Sequence, residues 1–144
     1  MDFSMLTIDT PLELINTAMQ NSLIGNLQIR IEAIARGEVR ASMPVCPQTT
    51  RPDGILHGGS NLALAETIAG LGSMLVIDMS EFDIRGIHVT GSHTGTVRDG
   101  FVLATAKIIH QGNQTHVWNV DVTNKDGRLV STIRVTNMIV KRNE

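Results

Sequence analysis

Aromatic residues and cysteine are scarce in this sequence. Tyrosine is absent, and three phenylalanines and one tryptophan are the only aromatic side chains among 144 residues. A stacking platform for single-stranded nucleic acid needs several aromatic rings, so this composition argues against one. The single cysteine, Cys46, excludes an intrachain disulfide framework and a cysteine-rich metal site, and it favours a cytoplasmic protein.

The sequence also lacks a strong charge imbalance and long apolar runs. The formal net charge is −2, which leaves no basic stripe to neutralise duplex phosphates, so we expect no nucleic-acid partner. No run approaches the ~20 apolar residues of a membrane span, so we expect no membrane partner. The first ten residues include Asp2 and Asp9 but no basic residue, unlike the start of a signal peptide.

The length and composition predict one domain over residues 1–144. A chain of this length can bury a full core, and the hydrophobic fraction of 42% is ordinary. Because aromatic residues are few, aliphatic side chains and methionines must fill that core. Repeats, low-complexity tracts and linkers are not apparent in the sequence.

Hydrophobic periodicity predicts a helix, two strands, a long helix and four strands, in that order. Thr10-Pro11-Leu12-Glu13 has the form of a capping box and predicts a short helix that ends near Met19. Residues 61–77 are apolar around most of a helical circumference, which predicts a buried helix whose alanines and glycines allow close packing on a sheet. Alternation predicts strands over residues 27–35, 39–43, 84–93, 101–110, 115–123 and 129–140.

The order of these elements predicts an α+β domain in which a single antiparallel sheet wraps around one long helix. The turn glycines and Asp-Gly pairs between the later segments favour antiparallel hairpins. The final strands are long and rich in valine, isoleucine and threonine. We expect a second subunit to pair with them and cover their edges.

The segment with the clearest chemical content covers residues 54–67. Within it, Glu66 is the only charged residue between His57 and Ile77, in a helix that is otherwise predicted to be buried. A buried carboxylate is costly unless it has a partner, so catalysis is one explanation for its presence. The alternatives are an ion pair with Arg85 or Arg98, and exposure at a solvent edge.

Two glycines precede the predicted long helix. Gly58 and Gly59 would expose backbone N–H groups at its positive end, where a carbonyl oxygen that becomes an oxyanion could bind. Alternatively, Ser60 or Asn61 is a simple helix cap and the glycines only turn the chain.

His57 lies nine residues before Glu66, so the two side chains are not expected to meet within one subunit, although a dimer interface could join them. The alternative is a loop histidine that hydrogen-bonds to the backbone. The other histidines are scattered through strands, and no metal site is expected because a His-Glu-x-x-His pattern is missing. A Gly-x-Ser-x-Gly elbow is missing too, and Cys46 has no basic neighbour in sequence, so we interpret it as structural.

The segment that contains His57, Gly58 and Glu66 resembles a known family signature. It is similar to hot-dog thioesterases related to the phenylacetate-degradation, 4-hydroxybenzoyl-CoA and dihydroxynaphthoyl-CoA thioesterases. The resemblance covers nearly the whole chain. The matching segments are His57-Gly58-Gly59, Leu64-Ala65-Glu66-Thr67, His110-Gln111-Gly112 and Val117-Trp118.

The resemblance implies the hot-dog fold, a homodimer or homotetramer with active sites between subunits, and hydrolysis of an acyl-CoA to a free acid and CoA without a metal or other cofactor. It implies that Glu66 is the nucleophile or general base, that the N–H of Gly58 polarises the thioester carbonyl, and that His57 positions the thioester. His93 resembles a second histidine that some relatives carry near the substrate. The remaining substrate contacts that we expect are Gly59, Thr67 and Gly70, and Gly112, Asn113 and Arg142 for the CoA nucleotide.

Two positions depart from the family's pattern. Arg51 stands where relatives carry glutamine, six residues before the histidine, and Gln48 could replace that glutamine only if the loop shifts. Gly70 stands where relatives carry serine or threonine, with Thr67 directly after the acid instead. These departures keep open the alternative of an acyl-CoA binding module without catalysis. A hot-dog dehydratase or hydratase, which would place a histidine and an acid in a different pattern, is a third possibility on the same fold.

Overall fold

The computed structural model of the protein describes residues 1–143. Its elements include a single 3₁₀ turn (Phe3–Met5) and three helices. The full set is α1 (Leu12–Met19), α2 (Leu23–Asn26), β1 (Arg30–Ala35), β2 (Glu38–Pro44), α3 (Gly58–Met74), β3 (Phe82–His93), β4 (Phe101–Gln111), β5 (Thr115–Asn124) and β6 (Leu129–Lys141). Among these residues, no helix combines the length and apolarity that crossing a bilayer requires.

The six strands form one antiparallel sheet in the order β1-β2-β4-β5-β6-β3. The long helix α3 lies across one face of this sheet and contacts all six strands. The predicted α+β class and the hot-dog arrangement, in which an antiparallel sheet wraps around a long central helix, are therefore confirmed.

Close packing between α3 and the sheet depends on Gly72. A Cβ atom built on Gly72 would lie 2.4 Å from the Trp118 ring, which is fully buried. The corresponding atom on Gly70 would lie 3.6 Å from Ile84 Cδ1, an ordinary contact distance. The prediction of close approach holds for Gly72 but is wrong for Gly70, because Gly70 lines a cavity instead.

The sheet has two edge strands, β1 at one end and, at the other, β3. This strand pairs only with β6 among the described residues, and its outer positions are exposed, with Ile87 51% exposed at a bulge between Gly86 and His88. The final strands β4, β5 and β6 lie inside the sheet. The expectation that these strands need a partner to cover them was wrong, because β3 returns to the far side of β6 and takes the edge.

The start of the fold differs from the predicted one. The N-cap of α1 is Pro11, without a side-chain cap, and the Thr10 hydroxyl instead accepts a hydrogen bond from the Thr7 N–H at 3.0 Å. The first strand begins at Arg30, three residues later than predicted, because residues 23–26 form α2 and Gln28 has a positive φ of 56°. A bulge between Ile31 and Ala33 then interrupts the predicted alternation.

Candidate active site

Helix α3 begins at Gly58, three residues earlier than predicted, and His57 is its N-cap. His57 Nδ1 accepts a hydrogen bond from the Gly59 N–H at 2.8 Å. A ring nitrogen that accepts a hydrogen bond carries no proton, so the proton of the neutral ring lies on Nε2. The Gly59 N–H is occupied by this bond, and the Nε2–H of His57 remains a donor.

Ser60 and Asn61 do not cap the helix, contrary to the alternative raised for them. The Ser60 hydroxyl donates to the Thr49 carbonyl oxygen at 3.0 Å, and the Asn61 amide donates to the Ser131 hydroxyl at 2.9 Å. The Gly58 N–H has no acceptor among residues 1–143. It is therefore a free donor at the positive end of a 17-residue helix.

A cavity of about 350 Å³ opens beside this helix end. The His93 ring lies against Gly58, since a Cβ built there would come within 2.4 Å of His93 Nε2. Position 58 thus requires glycine. The cavity is lined by Arg51, Ile55, Leu56, Gly58, Asn61, His93, Thr94, Gly95 and Thr96.

Glu66 lies further along α3 and is exposed in the single chain. It forms no ion pair within residues 1–143: Arg85 is paired with Asp83, and Arg98 makes no ion pair in the same range. Its Oε1 atom faces the edge strand, 3.6 Å from where a Cβ on Gly86 would stand. The interpretation of Glu66 as a buried carboxylate was therefore wrong for the isolated chain, and its alternative, exposure, applies.

A second cavity, of about 470 Å³ and mostly apolar, lies along the same helix, although Glu66 itself does not line it. Thr67 and Gly70 line it, and the Thr67 hydroxyl is occupied by a 2.7 Å hydrogen bond to the Ala63 carbonyl. Residues of the 3₁₀ turn, of α1 and of the α2 region also line this cavity. The other lining residues are Phe3, Ala18, Met19, Ser22, Ile24, Leu71, Met74, Met79, Asp83, Ile84 and Arg142.

The expected site residues fall at three places in one chain. Glu66 lies eight positions after Gly58 on the helix, or about 12 Å along its axis. Gly112 and Asn113 line a third cavity, of about 310 Å³, whereas Arg142 lies at the second. A single chain therefore does not bring the free donor and the carboxylate together, and it does not group the three residues expected at the CoA nucleotide.

The two departures from the family pattern also have clear positions. Arg51 lines the cavity beside Gly58 and is paired with Asp53 at 2.6 Å. Gln48 is exposed and does not line that cavity. Arg51 therefore borders the start of α3, and Gln48 does not take its place there. Within residues 1–143, no cluster of three or more His, Cys, Asp or Glu side chains could hold a metal ion.

A buried polar cluster behind α3 was not anticipated from the sequence. The Ser73 hydroxyl accepts hydrogen bonds from Trp118 Nε1 at 2.9 Å and from the Asn137 amide at 3.0 Å, and it lies 3.0 Å from His116 Nδ1. Because both acceptor positions of the hydroxyl are filled, its proton goes to His116 Nδ1. The local sequence contained no signal for this cluster, since its members come from α3, β5 and β6.

His116 should make the protein sensitive to mild acid. Burial lowers the pKa of His116 below its ordinary value of 6.5, and the nearby His110 lowers it further. His116 in the unfolded chain binds a proton near pH 6.5, whereas His116 in the native state does not. The free energy of unfolding therefore falls as the pH drops below 6.5, and this fall ends once the pH is below the lowered native pKa of His116. Denaturant unfolding of the natural protein and His116→Gln at several pH values should show their stability difference shrinking below pH 6.5.

The matched control is His88→Gln, which changes an exposed histidine on β3. Its unfolding free energy should follow that of the natural protein at every pH. A constant gap between the natural protein and His116→Gln from pH 7.5 to 5.5 would show that His116 does not cause the acid sensitivity.

Comparison with known proteins places the chain among thioesterases. Residues 53–131 match the family described as Thioesterase superfamily. The 1,4-dihydroxy-2-naphthoyl-CoA hydrolase of Escherichia coli is 33% identical over 129 residues, which is 90% of this chain and 94% of that protein. A solved mutant thioesterase from Pseudomonas aeruginosa superposes with a TM-score of 0.89 at 38% identity, covering 93% of this chain and 97% of that one. A thioesterase structure from Haemophilus influenzae gives 0.88 at 34% identity, with 93% of each chain covered.

Proposed function

Because the chain belongs to the thioesterase superfamily and is a thioester hydrolase, we propose that it is a cytoplasmic enzyme that hydrolyses acyl-CoA thioesters to a free acid and CoA. The observation that carries this proposal is the start of α3. There, a free Gly58 N–H and the His93 ring border a cavity large enough for a thioester. Glu66, exposed on the same helix, supplies the carboxylate.

A two-fold dimer through the edge strand β3 would complete the site. Glu66 lies beside Gly86, the fifth of the twelve residues of β3, and Gly58 lies beside His93, the last. If β3 pairs antiparallel with its copy about a two-fold axis midway between these two positions, the His93 end of one strand lies next to the Gly86 position of the other. The helix N-terminus of one subunit would then face Glu66 of its partner, in a homodimer or a homotetramer of such dimers.

In this arrangement the chemistry requires no cofactor. The Gly58 N–H donates to the thioester carbonyl oxygen, and the Nε2–H of His57 helps to hold the thioester. Glu66 either removes a proton from water, whose oxygen then bonds to the carbonyl carbon, or bonds to that carbon itself before water hydrolyses the acyl-enzyme. The C–S bond breaks, the sulfur leaves with the bonding electrons as the CoA thiolate, and the proton from water neutralises that thiolate or the carboxylate.

The apolar cavity beside Thr67 and Gly70 is the proposed place for the acyl group. Glycine at position 70 leaves this cavity wider than serine would, and a side chain there would meet only Ile84 Cδ1 at an ordinary distance. The relative from Escherichia coli is named for an aromatic acyl-CoA. We therefore propose an apolar acyl group, aromatic or medium-chain, as the substrate class.

We expect thiol release from at least one member of an acyl-CoA panel that includes aromatic, short-chain and medium-chain substrates, measured with a thiol-reactive dye. Gly70→Ser should lower kcat/KM for the bulkiest good substrate by about 10-fold and spare the smallest one, because a hydroxymethyl group reduces the pocket. A glycine-to-serine change at an exposed turn, such as Gly127→Ser, is not a suitable control, because the positive φ of 83° at Gly127 would strain any side chain placed there. Ala35→Ser, which adds a hydroxyl at an exposed position on β1 outside this cavity, is the control and should leave kcat/KM unchanged for every substrate.

Two outcomes would contradict this proposal. Acyl-CoA that binds without any thiol release would indicate a binding module, and hydration of an enoyl-CoA without thiol release would indicate a hydratase. A uniform effect of Gly70→Ser on all acyl groups would remove the acyl-pocket assignment but leave the hydrolase intact.

A further inference from the structure

The hydroxyl of Ser131 on β6 bridges two elements of the candidate site. It lies 2.8 Å from His93 Nδ1 on β3, and it accepts a hydrogen bond from the Asn61 amide on α3 at 2.9 Å. Ser131 is fully buried and Asn61 is 4% exposed. The Asn61–Ser131 end of the bridge is therefore shielded from water, whereas His93 is exposed.

The direction of the hydrogen bonds determines which nitrogen of His93 carries the proton. Either atom of the Ser131–His93 pair could donate, but if His93 Nδ1 donated, Ser131 Oγ would accept two hydrogen bonds and its buried hydroxyl proton would have no acceptor among residues 1–143. We therefore assign the Ser131 hydroxyl as the donor to His93 Nδ1. A nitrogen that accepts this proton is itself unprotonated, so the neutral ring is protonated at Nε2. That nitrogen lies against Gly58, at the cavity and beside the free N–H.

Asn61 bears an unfavourable feature that a purely structural residue would not need. Its Oδ1 atom is buried and has no hydrogen-bond partner within the described part of the chain. A buried unpartnered acceptor destabilises the folded state, and an apolar residue of similar size would avoid that penalty. Retention of the amide is explained if its Nδ2 donor is required to orient the Ser131 hydroxyl.

We propose that Asn61 and Ser131 are positioning residues that hold His93 as an Nε2–H donor, so that His93 and the Gly58 N–H both donate to the thioester carbonyl oxygen. The inference rests on the proposed hydrolase function for its catalytic consequence. The relay, meaning the hydrogen bonds from Asn61 through Ser131 to His93, is present in the free protein without a substrate. The two parts can therefore be tested separately.

The catalytic part is tested with Ser131→Ala, Ser131→Thr and the control Thr132→Ala. Thr132 follows Ser131 on β6 but has no part in the relay, because its hydroxyl donates to Asp121 on the neighbouring strand β5 at 2.9 Å. We expect Ser131→Ala to reduce kcat about 10-fold while KM changes less than about 3-fold, since one oriented donor to the oxyanion is weakened. Ser131→Thr, which restores a hydroxyl, should recover most of that loss, and Thr132→Ala should leave kcat unchanged.

The relay is tested by nitrogen-15 NMR of the histidine rings, with the His93 signals assigned through a His93→Gln variant. In the natural protein, His93 Nδ1 should resonate as an unprotonated nitrogen and Nε2 as a protonated one. Ser131→Ala should convert His93 to a mixture of tautomers, and Asn61→Leu should do the same while Ser131 is intact.

Each result decides one part of the proposal. A His93 tautomer that is unchanged in Ser131→Ala overturns the relay. A changed tautomer with unchanged kcat overturns its catalytic role, although the hydrolase function stands. A natural protein that hydrolyses no acyl-CoA refutes the proposed function and the catalytic role with it, and the NMR result then decides the relay alone.

Discussion

Replacement of Glu66 by glutamine should abolish most thioester hydrolysis, with kcat lower by about 100-fold or more, because the amide neither attacks a carbonyl nor removes a proton from water. Glutamine has nearly the same shape as glutamate, and Glu66 is exposed with no ion pair among residues 1–143. The unfolding free energy should therefore change little. Thiol release under saturating acyl-CoA, with a denaturant unfolding curve, measures both quantities.

The matched control is Glu13→Gln, which makes the same chemical change on another helix. Glu13 is exposed on α1, and its one ion pair among residues 1–143 is a long one, 3.9 Å from Arg30. This variant should hydrolyse acyl-CoA at the natural rate. If Glu66→Gln retained normal turnover with normal stability, Glu66 would have no role as nucleophile or base.

Mixing two inactive variants should restore activity if the site is shared between subunits. Glu66→Gln removes the carboxylate, and His57→Asn removes the imidazole while asparagine can still cap α3. A hybrid dimer has one site with both natural residues and one with neither. Random exchange makes half of the dimers hybrid, so the mixture should recover about a quarter of the natural activity.

Asparagine is preferred to alanine at position 57 because His57 is the N-cap of α3, and removal of a cap costs about 1 kcal/mol. Subunit exchange is verified by mass spectrometry of differently tagged chains under native conditions. Each variant incubated alone under the same conditions is the control and should stay inactive. Verified exchange without recovered activity would mean that His57 and Glu66 do not act from different subunits.

The element order and the fold class could be predicted from the sequence. Strand and helix periodicity are local properties, and five of the six strands were placed within two residues of their observed ends. The main errors near the N-terminus have local causes: the short helix at residues 23–26 and the positive φ of Gln28 interrupt an apparently continuous alternation. A hydrophobic pattern does not report a bulge or a single unusual dihedral angle.

The sequence by itself determined which residues were candidates for chemistry, because His57, Gly58 and Glu66 stand in one short motif. Only the tertiary structure decided that His57 caps α3, that Gly58 lies against His93, and that β3, not a later strand, forms the edge beside β6. It alone revealed the contacts of Ser131 and Ser73 with residues distant in sequence. The physical reason is that periodicity records which face of an element is buried, whereas strand order and side-chain hydrogen bonds depend on which distant segments the folded chain brings together.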